Sequence, residues 1–348
     1  MIKPINIGTK KVGAGQGTFI IAEMSGNHNQ NYERALEIVH AAKEAGADAI
    51  KLQTYTADTI TIDCDNKFFK IQKGPWEGQT LYGLYKKAYT PWEWHAGLKE
   101  EADRLGLIFI STPFDNTSVD FLANLDVPAY KVASFELVDL PLIKYIAGKG
   151  KPVIISTGMG TLDEIEDAVN TVRDTGNDQL ILLKCVSDYP SLPEDMNLNT
   201  IPDIAEKFGL PAGLSDHTLE SKVSVAAVSL GAAVIEKHLT LSREEGGPDA
   251  GFSMEPAEFR EMVNDIRLIE KALGSVRYEP TERESNNKVF RRSLFVVKDV
   301  KTGDKATNEN VRSIRPGHGL SPKYLKDVIG KTFKKDTPKG TPVEWGLF

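Results

Sequence analysis

Eight short apolar runs, rich in β-branched residues, recur between residues 19 and 238 of this 348-residue chain. Stretches with helical period separate most of them; in the first, Ala35, Ile38, Val39 and Ala42 precede Gly46. Strands that alternate with helices form a parallel sheet with right-handed crossovers. Eight such units in about 270 residues predict a (β/α)8 TIM barrel. The predicted strands are residues 19–22, 49–53, 107–111, 129–133, 153–156, 180–185, 212–215 and 234–238.

A doubly wound open sheet is the alternative fold for the same alternation. In its nucleotide-binding versions, a Gly-x-Gly-x-x-Gly turn joins a strand to a helix that holds phosphate groups. No predicted strand in this sequence is followed by such a turn. The main reason to prefer the open sheet is therefore missing, and the barrel is the expected fold.

The alternation of predicted strands and helices stops after about 275 residues, which is the length of an ordinary barrel domain. Residues 276–288 are polar and are predicted to form a linker. Beyond them, residues 293–297 and 311–314 are predicted strands, separated by the turn-rich residues 301–304. We therefore expect a catalytic barrel over residues 1–275 and a small β-rich domain over residues 289–348. A domain of about 60 residues has a marginal core, so this one is expected to pack on another surface.

The overall composition excludes several classes of partner. The net charge is −7 and basic residues are interspersed with acidic ones, which argues against a nucleic-acid surface or a polybasic membrane patch. No run approaches the roughly 18 apolar residues of a spanning helix. The two cysteines, Cys64 and Cys185, lie in unrelated contexts. A disulfide is not expected, and the cytoplasm is the expected location.

One connection is much longer than the usual link between a strand and its helix. Residues 54–90 follow the second predicted strand and carry Trp76, Tyr82, Tyr85 and Tyr89. Long loops in compact domains commonly serve as lids or binding loops. In a barrel this loop would lie on the catalytic face.

Two tripeptides end with histidine at neighbouring predicted strand ends. Ser215-Asp216-His217 closes the seventh run and Glu236-Lys237-His238 closes the eighth. In a parallel barrel the two imidazoles would point into the same mouth. Two imidazoles, with water and acidic residues, are a suitable set for a metal ion. The alternative is a pair of hydrogen-bonded core histidines, and the tripeptides alone leave both interpretations open.

Every predicted strand ends in polar side chains, although charged groups are costly to bury unless they are paired or bound to a ligand. Lysines and serine hydroxyls that converge on one pocket favour a phosphate or carboxylate. A buried glutamate can act as a general acid or base. Together these groups suggest carbon–carbon bond formation between a phosphorylated or carboxylated donor and an aldehyde. The strand-end groups are Glu23, Asn27 and His28; Lys51 and Gln53; Ser111 and Thr112; Lys131, Ser134 and Glu136; Ser156 and Thr157; Lys184, Ser187 and Tyr189; Ser215 to His217; and Glu236 to His238.

Several of these segments resemble the signatures of the sialic acid synthase family, in the same order and nearly end to end. They are residues 21–28 (IAEMSGNH), 130–136 (YKVASFE), 156–159 (STGM), 213–218 (GLSDHT) and 236–238 (EKH). The tail, with residues 299–304 (DVKTGD) and 315–317 (RPG), is similar to that family's antifreeze-protein-like (SAF) domain. The resemblance implies a barrel enzyme that condenses phosphoenolpyruvate with an amino-sugar aldehyde and releases phosphate.

The resemblance also implies roles for individual residues. His217 and His238 would ligate a divalent ion, Mn2+ or Mg2+. Glu136 would be the acid or base near the reacting carbons, and Lys51 would hold the donor carboxylate. Arg315 would reach the sugar from the tail of a partner subunit, which implies a domain-swapped homodimer. The remaining predicted contacts are Lys131, Ser134, Ser156 and Ser215 to the phosphate, with Ser187 where the family has Asn; Glu23 and Asp249 to the metal-bound water or the sugar; and Tyr189, Thr112, Gln53 and Asn27 in the substrate pocket.

Residues 76–82 (WEGQTLY) and 89–95 (YTPWEWH) resemble one branch of that family. Ala133 and Phe135 also stand where other members carry Gly. The branch implies 2,4-diacetamido-2,4,6-trideoxy-L-altrose as acceptor; its legionaminic-type epimer and N-acetylmannosamine are the alternatives. A 6-deoxy sugar would suit an aromatic wall, but Trp92 and Trp94 have an alternative role in fixing the helix that follows them.

Two functions outside this class remain open from the residues alone. A Schiff-base lyase would use Lys131 or Lys51 as nucleophile with pyruvate and would need no metal. A non-catalytic carbohydrate-binding protein would bind sugar without releasing phosphate. The eight polar strand ends are harder to explain in either case.

Overall fold

The structure is a computed structural model that describes residues 2–348. It forms two compact units, one that ends at Gly274 and one that spans Ser275–Phe348. Within the described residues, no helix combines the length and apolar character needed to cross a membrane.

The first unit is a closed barrel of eight parallel strands, each paired with its neighbours in chain order. The predicted barrel is therefore confirmed, and the open sheet is excluded. The strands are β3 (Phe19–Glu23), β4 (Ala49–Thr54), β5 (Ile108–Pro113), β6 (Tyr130–Val132), β7 (Val153–Ser156), β8 (Leu180–Cys185), β9 (Ala212–Asp216) and β10 (Val234–His238), after a hairpin of β1 (Ile5–Ile7) and β2 (Lys10–Val12).

Helices cover the outside of the barrel, and their ends follow the sequence closely. Helix α7 (Leu162–Arg173) begins with a capping box, in which Thr161 Oγ1 accepts from the Glu164 amide and Glu164 Oε2 accepts from the Thr161 amide at 2.7 Å. The helices of this unit are α1 (Tyr32–Ala45), α2 (Ala57–Ile60), α3 (Leu81–Ala88), α4 (His95–Leu105), α5 (Asn116–Asn124), α6 (Leu140–Ala147), α7 (Leu162–Arg173), α8 (Thr200–Phe208), α9 (Lys222–Ser229) and α10 (Pro256–Leu273).

The amino-terminal hairpin closes one end of the barrel interior. Ile5, Ile7 and Val12 are buried in one cluster with inward-facing strand residues such as Ile154 and Ile181. These apolar groups fill the barrel below the strand ends. The polar strand ends therefore face an opening at the carboxyl end only, which is where (β/α)8 enzymes place their active sites.

The long connection after β4 is fixed at both of its ends by buried histidines. Thr54 Oγ1 lies 2.9 Å from His95 Nε2, and Thr90 Oγ1 lies 3.2 Å from His28 Nε2. Trp92 Nε1 donates to the Tyr55 carbonyl oxygen at 3.1 Å. These contacts hold the start and end of the connection against the barrel, while α2 and α3 form within it.

Trp92 and Trp94 pack against residues of the helices that surround the barrel. The Trp92 ring packs on Phe121 at a centroid distance of 4.8 Å, and the Trp94 ring lies edge-on to His28 and Tyr32. These contacts support the helix-fixing role for both tryptophans.

The second unit contains an antiparallel pair, β11 (Ser293–Val296) and β12 (Val311–Ile314), and a helix α12 (Leu325–Val328). Its own core is formed by residues such as Leu294, Val311 and Phe333. Within residues 276–288, a short helix, α11 (Glu282–Asn286), begins at a capping box on Thr281.

Candidate active site

The two histidine tripeptides divide between the inner and outer faces of the barrel. Strands β9 and β10 pair Ser215 with Glu236 and Asp216 with Lys237. Because side chains alternate along a strand, Asp216 and Lys237 share the outer face, and their charged atoms lie 2.9 Å apart in a buried ion pair. The barrel interior is lined by the alternate residues of the two segments, Ser215, His217, Glu236 and His238.

Breaking the outer pair should destabilise the barrel without touching the interior groups. Lys237→Met leaves the Asp216 carboxylate buried without its cation, which typically costs about 3–5 kcal/mol. Urea unfolding should show a loss of that size. Lys222→Met removes the exposed partner of Glu220 and is the matched control, with an expected change below about 1 kcal/mol. Equal losses in the two variants would contradict this interpretation.

The imidazoles of His217 and His238 are buried side by side, with ring centroids 5.3 Å apart. His217 Nδ1 lies 2.9 Å from the Val186 carbonyl oxygen, so Nδ1 carries the proton and Nε2 keeps a lone pair in the neutral ring. Burial and the neighbouring His217 hold the pKa of His238 well below its usual value. His238 Nδ1 is buried without a hydrogen-bond partner among residues 2–348.

These two rings suit a divalent ion as nitrogen donors. Among the described residues, no group of three or more His, Cys, Asp or Glu side chains is arranged to hold a metal. Water and substrate oxygens would therefore have to complete a coordination shell here, as in catalytic rather than structural metal sites.

Three charged side chains form a buried row across β3, β4 and β10. Lys51 Nζ lies 2.7 Å from Glu23 Oε2 and 3.9 Å from Glu236 Oε1, and it donates to Thr112 Oγ1 at 3.2 Å. Burial alone would lower the pKa of Lys51, but the two carboxylates raise it above its usual value. Lys51 therefore stays charged inside the barrel.

Glu236 is a candidate functional residue to which the sequence analysis assigned no role. Its Oε1 accepts from Ser215 Oγ at 3.1 Å, while its Oε2 is buried with no hydrogen-bond partner. Burial raises the pKa of this carboxyl, but Lys131 and Lys51 bring it below its usual value. Glu236 precedes His238 by two residues in one strand, so strand alternation places both side chains on the same face. This spacing is the sequence signal that could have identified Glu236.

A lysine and three serines form what we call the serine–lysine cluster: Lys131, Ser134, Ser156 and Ser187. Lys131 Nζ donates to Ser156 Oγ at 2.7 Å, and the hydroxyls of Ser134 and Ser187 lie 2.7 Å apart. A Cβ at Gly158 would collide with Ser134 and lie 2.6 Å from Ser187 Oγ, so only glycine lets these hydroxyls approach. Burial lowers the pKa of Lys131.

Glu136 differs from Glu23 and Glu236 because, among the described residues, no cation forms an ion pair with it. Burial raises its pKa to about 7, against the opposing effect of Lys131. Its Oε2 is buried and accepts no hydrogen bond. A carboxyl group with a pKa near neutrality can take up and release a proton under physiological conditions.

Polar groups at the carboxyl ends of β3 and β4 connect to the loop that follows β10. Gln53 Nε2 donates to Glu23 Oε1 at 3.0 Å and to Ser25 Oγ at 2.9 Å. Ser25 Oγ donates in turn to Asp249, whose pKa is raised by burial. Glu23, Gln53 and Asp249, all predicted site residues, therefore belong to one hydrogen-bonded chain.

Asn27, a predicted substrate contact, uses its amide nitrogen within the protein. Asn27 Nδ2 donates to the Leu239 carbonyl oxygen and to Ser253 Oγ, each at 2.9 Å. Ser253 Oγ itself donates to the Asp249 carbonyl oxygen at 2.6 Å. The geometry indicates that Asn27 positions the loop carrying Asp249.

An aromatic wall stands beside the two imidazoles. The Tyr189 ring lies 4.5 Å from His217 and the Phe252 ring lies 5.0 Å from His238, centroid to centroid. Trp76, from the long connection, packs on both aromatic rings and donates its Nε1 proton to the Pro248 carbonyl oxygen at 2.7 Å. These three rings line a cavity of about 760 Å³. Phe252, in a loop without regular period, was not predicted.

Arg315, the remaining predicted site residue, lies in the second unit, directly after β12. The other predicted residues surround the barrel mouth. The closed parallel barrel, with buried lysines, carboxylates and paired imidazoles at its carboxyl end, defines an enzyme of the (β/α)8 class.

The family follows from comparison with known proteins. Residues 38–278 match the NeuB family and residues 291–348 match the SAF domain, and the chain belongs to the NeuB family. The predicted resemblance of barrel and tail to sialic acid synthases is thereby confirmed.

Individual relatives span almost the whole chain. A pseudaminic acid synthase of Campylobacter jejuni is 44% identical over 330 residues, which cover 95% of this chain and 96% of the relative. An N,N'-diacetyllegionaminic acid synthase of Legionella pneumophila is 38% identical, covering 97% and 96%. The crystal structure of N-acetylneuraminic acid synthetase from Leptospira borgpetersenii, in complex with citrate, is 33% identical with a TM-score of 0.74, covering 82% of this chain and 95% of that one.

Proposed function

We propose that this enzyme condenses phosphoenolpyruvate with 2,4-diacetamido-2,4,6-trideoxy-L-altrose and water to give pseudaminic acid and phosphate. The observation that carries the proposal is the convergence of three groups at one barrel mouth. They are the serine–lysine cluster, the imidazole pair and Glu136, whose pKa is raised to about 7. The identity of 44% to a pseudaminic acid synthase, against 38% to a legionaminic acid synthase, supports this acceptor over its epimer.

Phosphoenolpyruvate carries up to three negative charges, one on its carboxylate and two on its phosphate. The site offers two buried ammonium groups for them, those of Lys131 and Lys51. Lys131 and the serines around it supply charge and hydroxyl donors for the phosphate. Ser215 Oγ, which now donates to Glu236, would turn toward the same anion. Lys51 remains cationic between its carboxylates and would meet the donor carboxylate.

His217 and His238 would hold a divalent ion, Mn2+ or Mg2+, with water and the sugar oxygen as further ligands. When bound, such an ion polarises a carbonyl oxygen as a Lewis acid. Burial lowers the pKa of His217, but the Cys185 sulfur 3.9 Å from Nδ1 raises it overall. Metal uptake would therefore displace a proton from this ring.

The chain's own groups account for the proton transfers. The donor's methylene carbon forms a bond to the sugar aldehyde carbon, which leaves a cationic centre at C2 of the donor. Glu136 Oε2 is buried without a partner among the described residues, and it takes a proton from the water that adds to C2 and returns it to the alkoxide formed from the aldehyde oxygen. The tetrahedral intermediate then breaks its bond from C2 to the phosphate oxygen, its C2 hydroxyl proton leaves with the phosphate, and Lys131 stabilises that departing group.

This role for Glu136 predicts a pH dependence. A base must be ionised, and a pKa of about 7 means that the ionised fraction falls as the pH drops below neutrality. We expect kcat to fall about tenfold for each pH unit below about 6. Glu136→Gln should lower kcat and remove this limb, whereas Glu166→Gln, on the exposed face of α7, should keep it. An unchanged limb in Glu136→Gln would assign the titration to another group.

We further propose a domain-swapped homodimer in the cytoplasm, with the tail of one subunit at the active site of the other. Residues 275–348 hold 16 of the 42 lysines and arginines but only nine of the 49 acidic residues, a formal charge of +7 that leaves −14 on residues 1–274. Opposite net charges favour association of a tail with a barrel. Arg315 of the partner subunit would then contact the sugar.

Mixed dimers test this arrangement. Arg315→Ala and His217→Ala homodimers should each be nearly inactive. If the tail acts across the interface, refolding the two together should restore activity, because one site regains both residues. If Arg315 acts within its own subunit, no mixed dimer has an intact site, and activity that stays at the level of the separate variants would contradict the swap.

The acceptor assignment is tested by phosphate release from phosphoenolpyruvate with three sugars: the altrose derivative, its legionaminic-type epimer and N-acetylmannosamine. We expect the highest kcat/KM with the altrose derivative. A clear preference for either of the other two would overturn the acceptor while leaving the family in place.

A further inference from the structure

The aromatic wall contains two layers, counted from the imidazole pair. Tyr189 and Phe252 form the inner layer, since each lies within 5.0 Å of a histidine ring. Trp76 forms the outer layer, with its ring centroid 5.8 Å from Tyr189 and 6.3 Å from Phe252. Trp76 is thus one ring further from the reacting end than the other two.

The length of a six-carbon acceptor is compatible with the distance from the imidazole pair to Trp76. That distance is at most the sum of the His217–Tyr189 and Tyr189–Trp76 centroid distances, 4.5 Å and 5.8 Å. Five carbon–carbon bonds of about 1.5 Å span roughly 6 Å when extended. An acceptor that runs along the aromatic wall with its aldehyde carbon beside His217 and His238 would bring its sixth carbon within contact distance of the indole, about 3.5–4.0 Å.

The outer layer offers this carbon an apolar surface. Trp76 has no free polar atom, because its only donor is used on the Pro248 carbonyl oxygen. Pro75 and Pro190 line the same cavity and lack amide protons altogether. A methyl group gains contact on the indole face, whereas a hydroxyl group placed there loses hydrogen bonds to water and finds no side-chain partner on Trp76, Pro75 or Pro190. Outside the aromatic wall, the polar side chains that line the cavity are Asn29, Gln30, Gln79, Lys86 and Lys87.

We infer that Trp76 is a specificity-determining residue that selects acceptors with a deoxygenated sixth carbon. This inference rests on the proposed function and adds to it the residue that reads the far end of the sugar. The hydrogen bond from Trp76 to Pro248 joins the long connection to the loop after β10, and so fixes the indole over the cavity. An apolar pocket discriminates against an added hydroxyl by up to about 100-fold.

The test compares two acceptors that differ only at the sixth carbon: the 6-deoxy diacetamido sugar and its 6-hydroxy counterpart. For the wild-type enzyme we expect kcat/KM to favour the deoxy sugar by about 10- to 100-fold. Trp76→Ala should lower kcat/KM mainly for the deoxy sugar, so that the ratio falls toward one. Trp76→Phe keeps an aromatic surface and should retain most of the preference.

A purely structural role would change both acceptors alike. Trp92→Phe is the matched control, because Trp92 packs on Phe121 outside the cavity, and it should leave the ratio unchanged. If Trp76→Ala does not fold, Trp76→Gln serves instead, since its amide would pair with the added hydroxyl and should shift the ratio toward the hydroxy sugar.

Two failures can be told apart. A ratio that stays at the wild-type value in Trp76→Ala or Trp76→Gln overturns the inference alone. A wild-type enzyme that releases phosphate with neither diacetamido sugar but does so with N-acetylmannosamine overturns the proposed acceptor, and the inference with it.

Discussion

Replacing either His217 or His238 with alanine should lower kcat by at least about 100-fold. Lewis-acid activation by a bound ion is worth several kcal/mol, and each 1.36 kcal/mol is a tenfold change in rate. The buried imidazoles, 5.3 Å apart with one nitrogen of His217 fixed on a carbonyl oxygen, are the donors that such an ion needs. Removal of metal with EDTA should abolish turnover in the wild-type enzyme, and added Mn2+ or Mg2+ should restore it.

Binding of Mn2+ alone, measured by calorimetry, separates loss of metal from loss of fold. Both alanine variants should lose binding, whereas His40→Ala should keep binding and activity, because His40 pairs with Glu101 on the outer surface, between α1 and α4. Full activity in metal-free enzyme, or normal Mn2+ binding by either alanine variant, would contradict the metal site.

Lys131→Met should raise the KM for phosphoenolpyruvate and lower kcat/KM by about 100-fold. Losing one partner of a buried charged contact costs about 2–5 kcal/mol, and methionine keeps the volume while removing the charge. Burial lowers the pKa of this lysine because its charged form is poorly solvated in the barrel. A bound anion would compensate for that loss of solvation and stabilise the charged form. The KM for the sugar should change little.

Lys144→Met, on the exposed face of α6, is the matched control and should leave all constants unchanged. Borohydride with pyruvate provides a second arm of the experiment. Covalent trapping of pyruvate on Lys131 or Lys51 would favour the Schiff-base lyase, and a wild-type KM for phosphoenolpyruvate in Lys131→Met would contradict the anion-binding role.

The barrel was predictable because its strands are uniform in chemistry and regularly spaced. The bounds of β7 and β10 are those predicted. Pro152 precedes and Thr157 follows the apolar run of β7, and the polar tripeptide Glu236-Lys237-His238 ends β10. The hairpin of β1 and β2 was missed because a three-residue strand holds too little alternation to be recognised. Its role in closing the barrel depends on contacts far apart in the sequence.

The site residues at strand ends were predictable, because strand alternation determines which face each side chain occupies. The site residues in loops were less predictable. Strand alternation places Glu236 beside His238, and Asp216 and Lys237 outside, but only the register between β9 and β10 fixes the buried pair. Phe252 joins the site through a single 3-10 turn, Ala250–Phe252, which is too short to show a period in the sequence. The contacts of Asn27 lie more than 200 residues away, so its positioning role had no local signal.

The fate of the donor's carbons tests the proposed reaction most directly. With phosphoenolpyruvate labelled with 13C at its methylene carbon, NMR should show that carbon bonded to C1 of the acceptor in a nine-carbon acid, with one phosphate released for each product. Phosphate release that needs no acceptor, or a sugar adduct that retains phosphate or lacks the new carbon–carbon bond, would contradict it.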